Sequence, residues 1–91
     1  MVGGVVIEVI KLEDKIWVNT MDRKRLDDRC AIYVERTDLS ERIKPNDSLW
    51  WQGNFAYWTP KENRESGVGA YDIKIKRIGF SGVSKPAKVS A

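Results

Sequence analysis

The chain contains no histidine, and it has a single cysteine among its 91 residues. The lack of histidine removes the most common general base and the most common activator of a nucleophile. One thiol allows no intrachain disulfide and, without histidine, none of the usual zinc sites. The sequence therefore predicts a protein that is not an enzyme, binds no metal or other cofactor, and works in a reducing compartment.

Long hydrophobic runs are also absent. Apolar runs such as Val5-Val6-Ile7 and Val9-Ile10 are far too short to cross a membrane. The first residues lack the basic start of a secretory signal, and Glu8 and Lys11 interrupt any apolar segment behind them. We expect no membrane association and a cytoplasmic location.

Charge is plentiful but nearly balanced, with 32% charged residues and a net charge of +3. Residues 60–91 hold seven basic and three acidic side chains, whereas residues 1–59 hold nine basic and ten acidic ones. The basic excess in the last third of the chain has two interpretations. It either serves solubility or attracts phosphate groups.

Alternation of apolar and polar residues predicts about six short strands and no full helix. The charged stretch 19–29 and the stretch 61–69 are predicted loops. Asp38 is expected to cap a short helical turn at 39–42, and Pro45-Asn46 is expected to form a tight turn. A change of parity near Lys76-Arg77 indicates a β-bulge. The predicted strands cover residues 4–12, 16–19, 30–36, two segments within 48–59, and 70–80.

These elements predict one all-β domain over residues 1–82, followed by a flexible basic tail at 83–91. The expected architecture is a small, partly open barrel or a strongly bent antiparallel sheet. A Src-homology-3-like barrel is the preferred template. The oligonucleotide-binding barrel comes second, because that fold usually carries a helix between its third and fourth strands, whereas this sequence predicts only a short turn at 38–43.

Aromatic residues concentrate in the segment Leu49 to Trp58, which contains three of the four tryptophans. Gly53-Asn54 is a typical two-residue turn, so this segment predicts a β-hairpin. With that turn, Leu49 pairs with Trp58, Trp51 with Ala56, and Trp50 with Tyr57. Strand alternation then places Leu49, Trp51, Ala56 and Trp58 on one apolar face, which we interpret as core.

The opposite hairpin face carries aromatic rings together with amide and hydroxyl groups, a composition suited to stacking a planar ligand or anchoring a protein. We predict a ligand-binding site formed by Trp50, Gln52, Phe55 and Tyr57. Basic side chains at 61, 64, 74 and 76 are expected to form its rim and to contact phosphate, namely Lys61, Arg64, Lys74 and Lys76. The competing interpretation is that both hairpin faces are buried and purely structural.

The segment Ile43 to Gly53, followed by Tyr57-Trp58-Thr59-Pro60 and by Ile78 to Gly82, resembles a block in small uncharacterised proteins of tailed bacteriophages. The resemblance covers residues 5–82. It implies a phage origin and expression in the cytoplasm of an infected bacterial host. No activity is assigned to such proteins, and small phage proteins of this kind often bind a host factor or serve genome replication.

Two functions follow as expectations. The first is a non-enzymatic phage protein that engages single-stranded nucleic acid or a nucleotide through the aromatic hairpin face. The alternative is a protein-interaction module that self-associates or inhibits a host factor. Solvent exposure of Trp50 and Tyr57 is the observation that separates a binding face from additional core.

Overall fold

Six antiparallel strands form one sheet in the computed structural model, which describes residues 2–76 and 85–86. A 3-10 turn at Ser40–Arg42 links the third and fourth strands, and a short helix α1, Lys61–Ser66, links the last two. The strand order is β3-β2-β1-β4-β5-β6. The strands are β1 Val2–Lys11, β2 Lys15–Met21, β3 Arg29–Glu35, β4 Ser48–Gln52, β5 Phe55–Thr59 and β6 Tyr71–Lys74.

The two edge strands of this sheet meet at one point. Val34 of β3 forms an isolated antiparallel bridge with Ile75, and the Lys76 backbone N–H donates to the Tyr33 carbonyl at 2.9 Å. The sheet curls far enough for its edges to touch, but no continuous ladder of described residues closes it. The predicted all-β class with a strongly bent, partly open antiparallel sheet is confirmed.

Strand β1 bends so that it can pair on both sides. Its first residues pair with β4, and its later residues pair with β2, with a bulge between Val6 and Glu8. Gly3 and Gly4 have φ values of +128° and +155°, and a Cβ on either would lie 2.1–2.2 Å from the carbonyl oxygen of Leu49 or Met21. Glycine is therefore required where β1 passes between its two neighbours.

The core fills the inside of the curled sheet. Trp58 is the largest fully buried side chain, and it lies beside Leu49, its partner across the hairpin. The other core side chains come from every strand and from the segment before β4; they are Val6, Ile16, Val18, Ile32, Val34, Ile43, Ala56 and Ile73. Each valine and isoleucine of this set contributes about 1.5–3 kcal/mol when it leaves water.

A buried carboxylate ties three segments together at one end of the core. Asp47 is fully buried, and it accepts hydrogen bonds from Trp58 Nε1 at 2.8 Å and from the backbone N–H groups of Lys44 and Lys61, each at 3.0 Å. A buried charge is tolerated when donors surround it in this way. Asp47 therefore fixes the turn before β4, the ring of Trp58 and the start of α1.

Three local predictions differ from the structure. The segment 61–69, predicted as a loop, contains α1. The carboxylate of Asp47, 14 residues earlier in the chain, accepts a hydrogen bond from the first N–H of the helix, and Gly67 ends the helix at φ +78°. Asp38 makes no cap; the Thr37 hydroxyl accepts from the Ser40 N–H at 3.1 Å instead. The loop predicted at 19–29 spans only 22–28, because β2 continues to Met21 with Thr20 fully buried and β3 begins at Arg29. The left-handed Asn46, φ +79°, is as predicted.

The predicted bulge at Arg77, the strand beyond Lys76 and the tail at 83–91, apart from Lys85 and Pro86, lie outside the described residues.

Candidate binding face

The hairpin has the predicted register. Gly53-Asn54 forms the turn, and the pairs Leu49–Trp58, Trp50–Tyr57, Trp51–Ala56 and Gln52–Phe55 are those expected from a two-residue connection. The glycine has φ +66°, the backbone conformation that such a turn needs. Because a slip of one residue would exchange the two faces, this register decides which side chains point away from the core.

The inner face of the hairpin is core, as predicted. Leu49, Ala56 and Trp58 are at most 1% exposed. Trp51 packs against the same core but stays half-buried. It pairs with Val2, which is 46% exposed, and therefore lies where the inside of the sheet opens to solvent.

The outer face is open to different degrees along its length. Trp50 and Tyr57 are half-buried, Gln52 is exposed, and Phe55 is 48% exposed. We call these four side chains the aromatic face. All four belong to the outer side of β4 and β5, so the structure brings together the aromatic part of the predicted site.

Strand β6 extends this face on one side, because it pairs with β5. Lys74 lies opposite Phe55, and Asp72 lies opposite Tyr57. Lys74 thus borders the aromatic face as predicted. Asp72 was not among the predicted site residues, and its carboxylate offsets the charge of Lys74 on the same strand face.

The structure does not bring Lys61 and Arg64 to the turn end of this face. They lie on α1, which follows the end of β5 at Thr59, and that end is about 13 Å along the strand from Phe55 at ~3.3 Å per residue. The Arg64 guanidinium donates to the backbone carbonyl of Asn46. The Lys61 side chain is exposed next to the buried Asp47.

Lys76 lies in a third place. Its ammonium is 3.4 Å from Asp14, in the turn between β1 and β2, and its backbone pairs with Tyr33. The hydrogen bond from Lys76 is the main cause that lowers the pKa of Asp14 below its ordinary range. The four predicted rim cations therefore occupy three separate positions around the barrel.

A cavity of about 250 Å³ opens beside the aromatic face, on the side away from β6. Trp50 forms one wall, and the start of β1 and the ends of loop 22–28 form the others. We call this space the wedge cavity; it is lined by Val2, Gly3, Asp22, Asp28, Arg29, Cys30 and Trp50.

The sequence predicts a solvated charged loop over 19–29, which would meet the outer hairpin face only if both hairpin faces were buried. The position of loop 22–28 beside Trp50 depends on β1, which separates β4 from β2 in the sheet. Since β2 ends at Met21, the loop that follows it begins beside Gly4. Three consecutive exposed cations lie on this loop, namely Arg23, Lys24 and Arg25.

A second cavity, of about 330 Å³, lies over the outer side of β1, β2 and β3. It shares Arg29 and Cys30 with the wedge cavity, so the two spaces meet at the start of β3. Trp17 lines it and is only 3% exposed. Trp17 alternates along β2 with the core residues Ile16 and Val18, so its side chain lies on the outer side of the sheet.

The thiol between the two cavities is not activated. Burial and, to a smaller extent, the nearby carboxylate of Asp28 raise the pKa of Cys30. A raised pKa keeps the sulfur protonated at neutral pH, whereas a reactive cysteine needs a lowered one. The arrangement around Cys30 therefore supports packing and ligand contact rather than nucleophilic chemistry.

Among residues 2–76 and 85–86, no group of three or more histidine, cysteine, aspartate or glutamate side chains is placed to hold a metal ion. None of the helices formed by these residues is both long and apolar enough to span a membrane.

Comparison of the chain with protein-family models, with curated proteins and with solved structures gave no match.

Proposed function

We propose that this protein binds single-stranded nucleic acid or a nucleotide through the aromatic face. The observation that carries the proposal is that the two faces of the hairpin differ in burial. Its inner side chains complete the core, whereas Trp50, Tyr57 and Phe55 keep ring surface in contact with solvent on the other side. Aromatic rings on an open strand face stack on bases, at about 1–3 kcal/mol per base in single-strand binders.

The strand order supports the same proposal. Three consecutive strands, β1 to β3, are followed by a fourth that returns to lie beside the first, which is a Greek key. The oligonucleotide-binding barrel is a partly open Greek-key barrel, so this connectivity favours the second predicted template over the Src-homology-3-like one. The 3-10 turn at Ser40–Arg42 occupies the position of the helix between the third and fourth strands of that template.

Charge makes a modest contribution to the proposed interaction. Lys74 and Asp72 offset each other on β6, and the cavity beside Trp50 adds one cation, Arg29, together with two aspartates, Asp22 and Asp28. Among the predicted rim residues, Lys74 is the one that borders the aromatic face. We therefore expect stacking to supply most of the affinity, with a shallow dependence on salt of about −0.7 in log K per phosphate contacted and per log unit of salt.

A protein-interaction module is the second candidate, and one observation favours it. Phe55 and Val2 are large apolar side chains about half exposed near the turn end of the hairpin, Phe55 on the outer side and Val2 paired with half-buried Trp51 of the inner side. Exposed aromatic anchors of this kind are typical of protein interfaces. In this alternative the chain self-associates or inhibits a host factor, a role within an infected bacterial cell that rests on the phage resemblance alone.

The test is a titration of the protein with fluorescent thymidine oligomers at low and moderate salt. We expect saturable binding that weakens with salt, and a loss of about 5- to 100-fold in affinity for Trp50→Ala or Tyr57→Ala. Tyr33→Ala is the matched control, because Tyr33 is also a half-buried strand tyrosine but lies on β3 with Lys15 over its ring.

No binding at low salt would overturn the proposal. An equal loss of oligonucleotide affinity in Tyr33→Ala and Tyr57→Ala would show that the binding site is not the aromatic face. For the second candidate, light scattering over a range of protein concentrations detects self-association. The Phe55→Ser variant is expected to abolish this self-association and, because Phe55 also belongs to the aromatic face, to weaken oligonucleotide binding.

A further inference from the structure

The wedge cavity has the size of a pocket for one planar ring system. Its volume of about 250 Å³ is slightly below the ~300–1,000 Å³ of pockets for drug-sized ligands. Trp50 forms a wall of the cavity and is also part of the aromatic face. A strand of nucleic acid on that face can therefore place one base in the cavity without leaving the surface.

Gly3 keeps the space beside Trp50 open. It pairs with Trp50 across β1 and β4, and it also lines the cavity. A Cβ at this position would lie 2.1 Å from the carbonyl oxygen of Leu49, so no side chain is compatible with the backbone here. On the β1 side, therefore, no cross-strand side chain covers the Trp50 ring, whereas Tyr57 is its neighbour on the β5 side.

Loop 22–28 contributes two aspartates, Asp22 and Asp28, to the lining of the cavity. The Asp22 N–H donates to the Asp28 carbonyl at 3.1 Å, which brings the two ends of the loop together, and Asp28 N–H donates to the Arg25 carbonyl at 2.8 Å. One Asp22 oxygen accepts from the Lys24 N–H at 2.7 Å. The loop is thus held by its own backbone and by Asp22.

Asp28 and Arg29 supply the polar groups that remain for a ligand. In the described part of the chain, the Asp28 carboxylate makes no hydrogen bond or ion pair. Arg29 donates from Nε to the Leu26 carbonyl at 3.2 Å, which anchors the guanidinium at the cavity. An ionised carboxylate only accepts hydrogen bonds, and a guanidinium only donates them.

This combination distinguishes between bases. Guanine is the common base whose pairing edge presents two adjacent donors, N1–H and the 2-amino group, and a carboxylate accepts both. Adenine and cytosine present one amino group beside an acceptor, and thymine presents one N–H between two acceptors. A carboxylate facing the pairing edge therefore favours guanine over the other bases.

We propose that the wedge cavity is a guanine pocket, in which Trp50 stacks on the base and Asp28 accepts hydrogen bonds from N1–H and the 2-amino group. Arg29 donates to an acceptor of the same nucleotide. This inference rests on the proposed function, because it assigns a base preference to the same surface.

The test compares thymidine oligomers that differ only at one central nucleotide, which is thymine, adenine, hypoxanthine or guanine. We expect the oligomer with guanine to bind about tenfold more tightly than the oligomer with thymine. Hypoxanthine lacks the 2-amino group and is expected to give an intermediate affinity. The variant Asp28→Asn should abolish the guanine preference while retaining binding of the all-thymine oligomer.

Asp27→Asn is the matched control, because it makes the same change of charge on an exposed neighbour that does not line the cavity. This variant should keep the full guanine preference. Equal affinity of wild-type protein for all four oligomers, or equal loss of preference in the two variants, would overturn the guanine pocket while leaving the proposed function intact. Failure of every oligomer to bind would instead overturn the proposed function itself.

Discussion

Replacing Asp47 by alanine is expected to destabilise the protein more than any other single carboxylate replacement in the described chain. The carboxylate is fully buried and accepts three hydrogen bonds, from Trp58 Nε1, Lys44 N and Lys61 N. In Asp47→Ala the Trp58 N–H is left without its acceptor in a site that is 1% exposed. The two backbone N–H groups are less enclosed, and water can replace part of their lost bonds.

The magnitude follows from these three bonds. Hydrogen bonds to a charged group contribute about 1.5–3 kcal/mol each, and a buried donor left unsatisfied costs about 1–3 kcal/mol. With the Trp58 bond lost fully and the other two lost in part, we expect a decrease of about 3–5 kcal/mol in the free energy of unfolding. Small domains have about 5–15 kcal/mol in total, so the variant should be close to unfolding at 37 °C.

The assay is urea unfolding followed by tryptophan fluorescence, with the slope m compared between variants. Asp38→Ala is the control. Asp38 is exposed in the same connecting segment and makes no cap, so its loss should change stability by less than about 0.5 kcal/mol. A loss below about 1 kcal/mol in Asp47→Ala, or a similar loss in both variants, would refute the role assigned to the buried carboxylate.

Two further predictions concern stability. Gly4→Ala should lower the free energy of unfolding by at least about 2–3 kcal/mol, because the new Cβ would lie 2.2 Å from the Met21 carbonyl oxygen at a left-handed φ. Gly69→Ala is the control and should be nearly neutral, because a Cβ there has no atom within 4 Å. Thermal melts of both variants check this. Hydrogen bonds from Arg36 and then Lys11 lower the pKa of Glu41 below its ordinary value of 4.5. The stabilisation by Glu41 is therefore fully present above pH 4.5 and is lost as the pH falls through the lowered pKa. The urea midpoints of wild-type protein and Glu41→Gln should differ slightly at pH 7 and low salt, and converge in acid; a difference that grows in acid would contradict the assignment.

The hairpin and its faces could be predicted because their determinants are local. Gly53-Asn54 selects a two-residue turn, and alternation then fixes the partner and the face of every residue from Leu49 to Trp58. The same local information gave the left-handed Asn46 and the open loop before β3. Nothing outside the segment is needed for these assignments.

The helix α1 and the role of Asp47 could not be predicted in this way. No residue of α1 is buried, so the helix has no apolar periodicity to read. Its first N–H is satisfied by a carboxylate 14 residues earlier, which becomes a partner only after the turn before β4 and the hairpin have packed together. A bond of this separation has no signal in the sequence.

The position of loop 22–28 beside Trp50 depends on strand order. In sequence the two are separated by β3 and the 3-10 turn, and they meet because β1 lies between β2 and β4. The only trace in the sequence is Gly3-Gly4 within a β-branched strand, which indicates a close approach of another backbone. The two glycines indicate that another backbone segment passes close to β1, but they do not identify that segment as the one that carries Trp50 or as loop 22–28.

The most direct test of the proposed binding face is a titration of isotope-labelled protein with a guanine-containing thymidine oligomer, followed by amide chemical shifts. We expect the largest changes at Gly3, Asp28, Trp50 and Tyr57, and none at Ser66 on α1. Shifts confined to α1 or to the turn at Asp14, or no shifts at oligomer concentrations that saturate the fluorescence assay, would contradict the assignment of the aromatic face and the wedge cavity as the binding site.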